Sequence, residues 1–260
     1  AKEMGTVVIA SVRDIMPDGI DMRRVSELSS GIDAIFVHSD PGIKTMQGLP
    51  EDVKKKVVYT GFVVPKTPDS MKAREKIRKK LGVGNKKLIV ASAGSGMDGY
   101  DILKRVINAK EKLDKKIESL MLMSTGPMMG KDEYVKLKKL AEGKGILLTD
   151  FNPDLIDYIN AADLSISMCG YNSCLNAALT STPTVVIPRE TDMEQIRRAE
   201  AFERVGIVKS CTKNVELASL LEGMLNGGDK ANDVNLDGAA FLARFLMEYG
   251  NLQHVKIRLS

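Results

Sequence analysis

Short apolar runs rich in β-branched residues recur along this chain, separated by amphipathic stretches of helical length. That alternation constrains the fold more than any other feature. The runs predict strands over residues 6–11, 34–38, 56–60, 88–92, 119–124, 146–149, 164–167 and 184–187. The 3.6-residue period predicts helices over residues 69–81, 99–113, 132–142, 153–161, 171–180, 192–205 and 215–226, and one more over 237–249. Strands joined through helices of this length pair in parallel by right-handed crossovers. The fold class is therefore α/β with doubly wound, Rossmann-like sheets.

The run VVPKTP at residues 63–68 carries two prolines, disfavours helix and lacks a strand period, so it reads as a linker. It divides the chain into a partial N-terminal Rossmann-like domain at 1–64, a complete C-terminal domain at 65–235, and a helix and tail at 236–260 that cross back to the first domain. Three strands precede the linker, about half a Rossmann-like sheet. At 260 residues the chain is long for one such domain and short for two. The expectation is a piece of a longer enzyme, or a partner subunit or self-association that covers the strand edge near residues 6–11.

Composition excludes several partners. Lys and Arg number 38 against 34 Asp and Glu, a net charge of +4 without a basic tail, and aromatic residues are 5% with no Trp, so no nucleic acid partner is expected. Lysine-rich runs at 54–56, 76–80 and 136–139 read as solvated faces, with contact to anionic lipid the alternative. Cys169, Cys174 and Cys211 have no metal-ligand spacing and read as small buried hydrophobes in a reducing compartment. No apolar run approaches the roughly 18 residues of a spanning helix, so the expected place is the cytoplasm, at most peripheral to a membrane.

In open parallel sheets ligands bind beyond the carboxyl ends of the strands. Two strand-to-helix loops stand out there. Residues 92–99, SAGSGMDG, bring Gly94, Ser95 and Gly96 to a helix start, where backbone N–H groups and the helix dipole attract anions. A tight turn alone is the alternative, since neither GxGxxG nor a P-loop is present. Cys169-Gly170-Tyr171-Asn172-Ser173 repeats the arrangement after the strand at 164–167, with Gly170 relieving the turn and Ser173 as a plain N-cap the alternative reading. Two such cradles on one sheet suit a diphosphate.

Residues 149–208, from TDFNPD through AAD, GYNS and P-T-V-V-I-P to Q-I-R-R-A, resemble the donor half of GT-B glycosyltransferases that use nucleotide sugars. The runs RDI (13–15), VHSDP (37–41) and YTGFV (59–63) are similar to a group of predicted glycosyltransferases related to the bacterial lipid-intermediate N-acetylglucosaminyltransferase and to UDP-glucuronosyltransferases. The resemblance implies a UDP-sugar donor. The backbone at Phe151 and Asn152 would border the base. Gly94, Ser95, Gly96, Gly170, Asn172 and Ser173 would hold the diphosphate, with Tyr171 among the donor-binding residues and Arg189 adding charge, and Glu194 and Gln195 would bond sugar hydroxyls. For that last pair an ordinary acidic helix start is the alternative. Related enzymes usually carry Glu where this chain has Asn176, so the ribose contact loses its charge.

Sugar transfer needs a base for the acceptor proton and stabilisation of the departing diphosphate. Without a DxD-like pair after a strand, helix N-termini and Arg189 would serve the diphosphate, and no metal and no cofactor are expected. His38 and Asp14, at predicted strand ends, are the candidate bases, with loop capping the alternative for each; His254 in the tail reads as structurally neutral. The same fold hosts nucleotide-sugar 2-epimerases, and a non-catalytic nucleotide-binding subunit is a third reading. Sugar and acceptor are not legible.

Overall fold

The computed structural model describes residues 6–14, 21–43, 46, 48–227 and 233–251. Ile15 of the RDI run and His254 lie outside them. The chain forms two compact units, residues 1–65 with 234–260, and residues 66–233.

The first unit carries β1 (Ile9–Val12), β2 (Ala34–Val37) and β3 (Val57–Tyr59), parallel and in the order β1-β2-β3. Among the described residues the α-helices that accompany them are α1 (Met22–Ser29), α2 (Glu51–Lys54) and, from the second segment, α10 (Gly238–Asn251). Phe36 on β2 is buried and meets the rings of Phe241 and Phe245 on α10 edge-on, at centroid distances of 5.6 and 4.9 Å. The second segment is also tied through its backbone. Phe62 N–H donates to the Asn235 carbonyl at 2.8 Å, and Asn235 N–H donates to Asp40 Oδ2 at 3.2 Å. Lys56 departs from the expected solvated face: its Nζ donates to the carbonyls of Ser29 and Ile32 at 2.6 and 2.9 Å, neutralising the C-terminal end of α1.

The second unit is a six-stranded parallel sheet of β4 (Lys87–Ser92), β5 (Ser119–Ser124), β6 (Ile146–Thr149), β7 (Leu164–Met168), β8 (Thr184–Ile187) and β9 (Lys209–Ser210). Their spatial order is β6-β5-β4-β7-β8-β9. The helices are α3 (Arg74–Leu81), α4 (Tyr100–Leu113), α5 (Lys131–Ala141), α6 (Leu155–Ala161), α7 (Tyr171–Thr180), α8 (Met193–Arg204) and α9 (Leu217–Gly227). Both faces of β4 are buried. Ile89 and Ala91 join the core shared with α4, α5 and α9, while Leu88 and Val90 join the core shared with α3 and α6. That is why these strands read as continuous apolar runs rather than alternating ones.

The helix expected over 69–81 is two pieces, a 3-10 turn at Pro68–Ser70 and then α3. The break has a cause in side-chain bonding. Thr67 and Ser70 cap each other locally, and the Lys72 N–H turns to Asp157 Oδ1 at 3.2 Å. Asp157 is fully buried between Lys66 and Lys72. Burial raises its carboxyl, but the Lys66 and Lys72 contacts hold it below the usual range.

Candidate functional site

Strand order places the site. From β4 the chain steps outward through β5 to β6, then returns to β7 and steps the other way through β8 to β9. The reversal lies between β4 and β7, paired in register from Ile89 with Leu164 to Ser92 with Ser167. The loops beyond these two strands, residues 93–99 and 169–170, flank the crevice at which open α/β sheets bind ligands.

The first loop starts α4. Gly99 is the N-cap, with no side-chain cap bond. Gly94 and Gly96 take φ of +63° and +94°, and Gly126, in the loop after β5, takes +93°. Gly96 and Gly126 are pressed together: a Cβ on Gly96 would sit 2.4 Å from the Thr125 carbonyl oxygen, and one on Gly126 would sit 2.4 Å from Ser95 backbone. Met128 N–H donates to the Ser95 carbonyl at 2.8 Å and locks the two loops. Among the described residues, no acceptor takes the N–H of Gly94 or Ser95, and both residues are exposed. They remain available as donors.

The second loop starts α7. Its N-cap is Gly170, again without a side-chain bond, which settles the alternative for Ser173: it lies inside the first turn and is not the cap. Gly170 does not relieve the turn as expected, because its φ of −73° suits any residue. A Cβ there would meet only Ser173 Oγ at 3.8 Å, so the absent side chain instead leaves open space before the helix start. Asn172 and Asn176 are one turn apart on α7. By contrast α8 starts on Asp192, whose Oδ1 accepts from Gln195 N–H at 3.1 Å. Among the described residues the α8 N-terminus is thus closed by the protein's own carboxylate, while the glycine N-caps of α4 and α7 make no side-chain cap bond.

Two arginines bind these parts together. Arg189 pairs with Asp98 of the first loop and, through Nη2 at 2.9 Å, with Asp192. Its charge is offset by two carboxylates, so the attraction for an anion comes from N–H groups and helix dipoles more than from Arg189. Burial raises the Asp192 carboxyl, but the Gln195 N–H, Arg189 and the Gln195 amide hold it below the usual range. Arg198 was not anticipated. It is 1% exposed on α8, donates to the Cys169 carbonyl at 3.2 Å and to Glu194 at 2.5 Å, and its guanidinium lies 6.0 Å from the Tyr171 ring centre. It supports the second loop from beneath.

The remaining candidates are spread more widely. Glu194 is held by Arg198, and the Gln195 amide bonds Asp192 and the Arg189 N–H. Phe151 is exposed beyond β6, its N–H bonded to Asp150 and its carbonyl to Thr149 Oγ1, while Asn152 Oδ1 accepts from Asp154 N–H. His38 and Asp14 belong to the first unit. Asp14 is fully buried, and the half-buried His38 ring lies between Ser11 and Thr60, where burial lowers its pKa. The three cysteines are in no disulfide and are buried as expected, with Cys169 and Cys174 Sγ 3.5 Å apart.

Residues 93–237, more than half of the chain, match the family described as the glycosyltransferase family 28 C-terminal domain. The uncharacterized glycosyltransferase MK0977 of Methanopyrus kandleri is 23% identical over 157 residues, which are 60% of this chain and 42% of that protein. The structure of MurG from Acinetobacter baumannii superposes with a TM-score of 0.59 at 14% identity, over 97% of this chain and 65% of that one. A proposed UDP-N-acetylglucosamine 2-epimerase from Listeria monocytogenes gives 0.64 at 14% identity, over 98% of this chain and 70% of that one. The fold is thus of the GT-B type. The chain spans less than half the length of the curated relative and under two thirds of the MurG chain.

Proposed function

The chain belongs to the family of glycosyltransferase family 28 C-terminal domains, and from that premise we propose that residues 66–233 hold the nucleotide sugar, with UDP as the nucleotide, for transfer of the sugar to an acceptor hydroxyl. One observation carries the reading: the two strands at the sheet's reversal each lead into a helix that starts on glycine with no side-chain cap. A diphosphate can accept from Gly94, Ser95 and the first turn of α7 together, which one such helix start cannot offer. The names of the glycosyltransferase relative and of the UDP-sugar epimerase of like fold point to the same class of ligand.

In the transfer the acceptor oxygen closes on the anomeric carbon as the bond from that carbon to the diphosphate oxygen breaks. The electron pair leaves on the diphosphate, where fixed N–H donors at the two helix starts meet the growing charge without a metal. Asn176 would bond ribose hydroxyls as an amide, and Glu194, paired with Arg198, would accept from a sugar hydroxyl. His38 and Asp14 stand as the candidate bases in the first unit. Free thiols suit a reducing cytoplasm. No helix among the described residues is long and apolar enough to cross a membrane.

The 2-epimerase reading is favoured by the fold likeness to the Listeria monocytogenes protein. Product analysis of the full chain with UDP-N-acetylglucosamine separates the two. Transfer predicts UDP release that depends on an added hydroxyl acceptor. Inversion at the sugar C2 without any acceptor contradicts it in favour of the epimerase, and bound UDP with neither product points to a nucleotide-binding subunit.

A further inference from the structure

A chain of side-chain contacts crosses the carboxyl ends of the three strands in the first unit. Ser11 Oγ lies 2.6 Å from His38 Nε2, and His38 Nδ1 lies 2.9 Å from Thr60 Oγ1. The backbone builds this row. His38 N–H donates to the Val12 carbonyl at 2.9 Å and Thr60 N–H donates to the Val37 carbonyl at 3.0 Å, so the residues just past β2 and β3 continue the parallel register.

Counting protons gives the row a direction. The Thr60 hydroxyl has a single proton, and the Gly61 carbonyl at 2.8 Å is its nearest acceptor, ahead of His38 Nδ1 at 2.9 Å and the Val37 carbonyl at 3.4 Å. With that proton on the Gly61 carbonyl, the Thr60 oxygen faces His38 as an acceptor, the arrangement in which Nδ1 carries the hydrogen. A neutral imidazole protonated at Nδ1 has its lone pair on Nε2, and there Ser11 Oγ–H is the donor. Exposure follows the same order: Ser11 is exposed, His38 half-buried and Thr60 1% exposed.

We propose that Thr60 is a positioning residue that holds His38 in the Nδ1–H tautomer, so that Nε2 receives the Ser11 hydroxyl proton and Ser11 with His38 forms the proton-accepting pair of this unit. The use of the pair in sugar transfer rests on the function proposed above; the tautomer does not. In that use the acceptor hydroxyl passes its proton to Ser11 Oγ while the Ser11 proton moves to His38 Nε2. The hydroxyl loses one proton, Ser11 is unchanged, and one proton ends on the imidazole. Burial favours the neutral ring that this requires.

The test is long-range proton–nitrogen correlation NMR on the full chain with ring-labelled histidine. The chain has two histidines, His38 and His254, and His38→Gln assigns them. The expected spectrum shows His38 protonated at Nδ1 and bare at Nε2. In Thr60→Val the population moves toward Nε2–H, in Thr60→Ser it stays at Nδ1–H, and in Ser11→Ala the Nε2 resonance shifts while the tautomer is kept. An Nε2–H tautomer in the unmodified chain overturns the proposal even where Thr60→Val does not fold. So does an unchanged tautomer in folded Thr60→Val or an unmoved Nε2 resonance in Ser11→Ala. With a UDP-sugar, Ser11→Ala is expected to lose about 100-fold in turnover, and full turnover overturns the role of Ser11. Absence of transfer by the unmodified chain counts instead against the transferase reading, with the tautomer still decided by NMR.

Discussion

Gly96→Ala lowers the melting temperature of the 66–233 unit by about 6–12 °C, from about 3 kcal/mol of lost stability, and weakens UDP binding by more than about tenfold. Two causes add. A φ of +94° is strained for any residue with a side chain, and the new Cβ would lie 2.4 Å from the Thr125 carbonyl oxygen, a backbone atom that cannot rotate away. The loop must move, and the Gly94 and Ser95 N–H groups move with it. Gly94→Ala is the matched control: φ is +63° but nothing lies within 4 Å of its Cβ, so only about 1 kcal/mol of strain is expected. Differential scanning calorimetry and a UDP titration of both variants check this. Equal effects would show that strain at φ, not the close approach of the two loops, sets the cost.

Arg198→Ala is the second large effect, about 3 kcal/mol and again about 6–12 °C, with UDP affinity lowered about tenfold. Truncation removes the guanidinium that donates to the Cys169 carbonyl and to Glu194, a side chain that is 1% exposed. Arg198→Lys keeps the charge but cannot reach two acceptors with a planar fork, so it recovers stability more than affinity. An Arg198→Ala chain that binds UDP as tightly as the parent would reduce Arg198 to a packing residue.

Much of the second unit was legible because burial on both sheet faces leaves an unambiguous apolar signature. The strands Ser119–Ser124, Ile146–Thr149 and Thr184–Ile187 and the helix Tyr171–Thr180 match their expected bounds. Elements with little apolar content were not legible. α1 is MRRVSELS, in which two arginines, a glutamate and two serines obscure the period; α2 is four residues; β9 is two. In the site, the loops were legible because glycines and helix starts are local signals. What partners those loops was not: Arg189 and Asp98 are 91 residues apart in the chain and meet only through the β4-β7-β8 order. Arg198 did leave one trace, the i,i+4 spacing from Glu194. Nothing in the run Arg197-Arg198 says which of the two is buried. His38 was legible as a strand-end histidine, but its tautomer depends on Thr60 and Gly61, which only the parallel register brings beside it.

The two glycine-started helices at the sheet reversal are the basis for assigning nucleotide-sugar binding to residues 66–233. Isothermal titration of the full chain with UDP, GDP and dTDP tests that assignment most directly: a dissociation constant of about 1–100 μM for UDP, with weaker binding of the other two, is the predicted result, and no heat of binding with any of the three would contradict it.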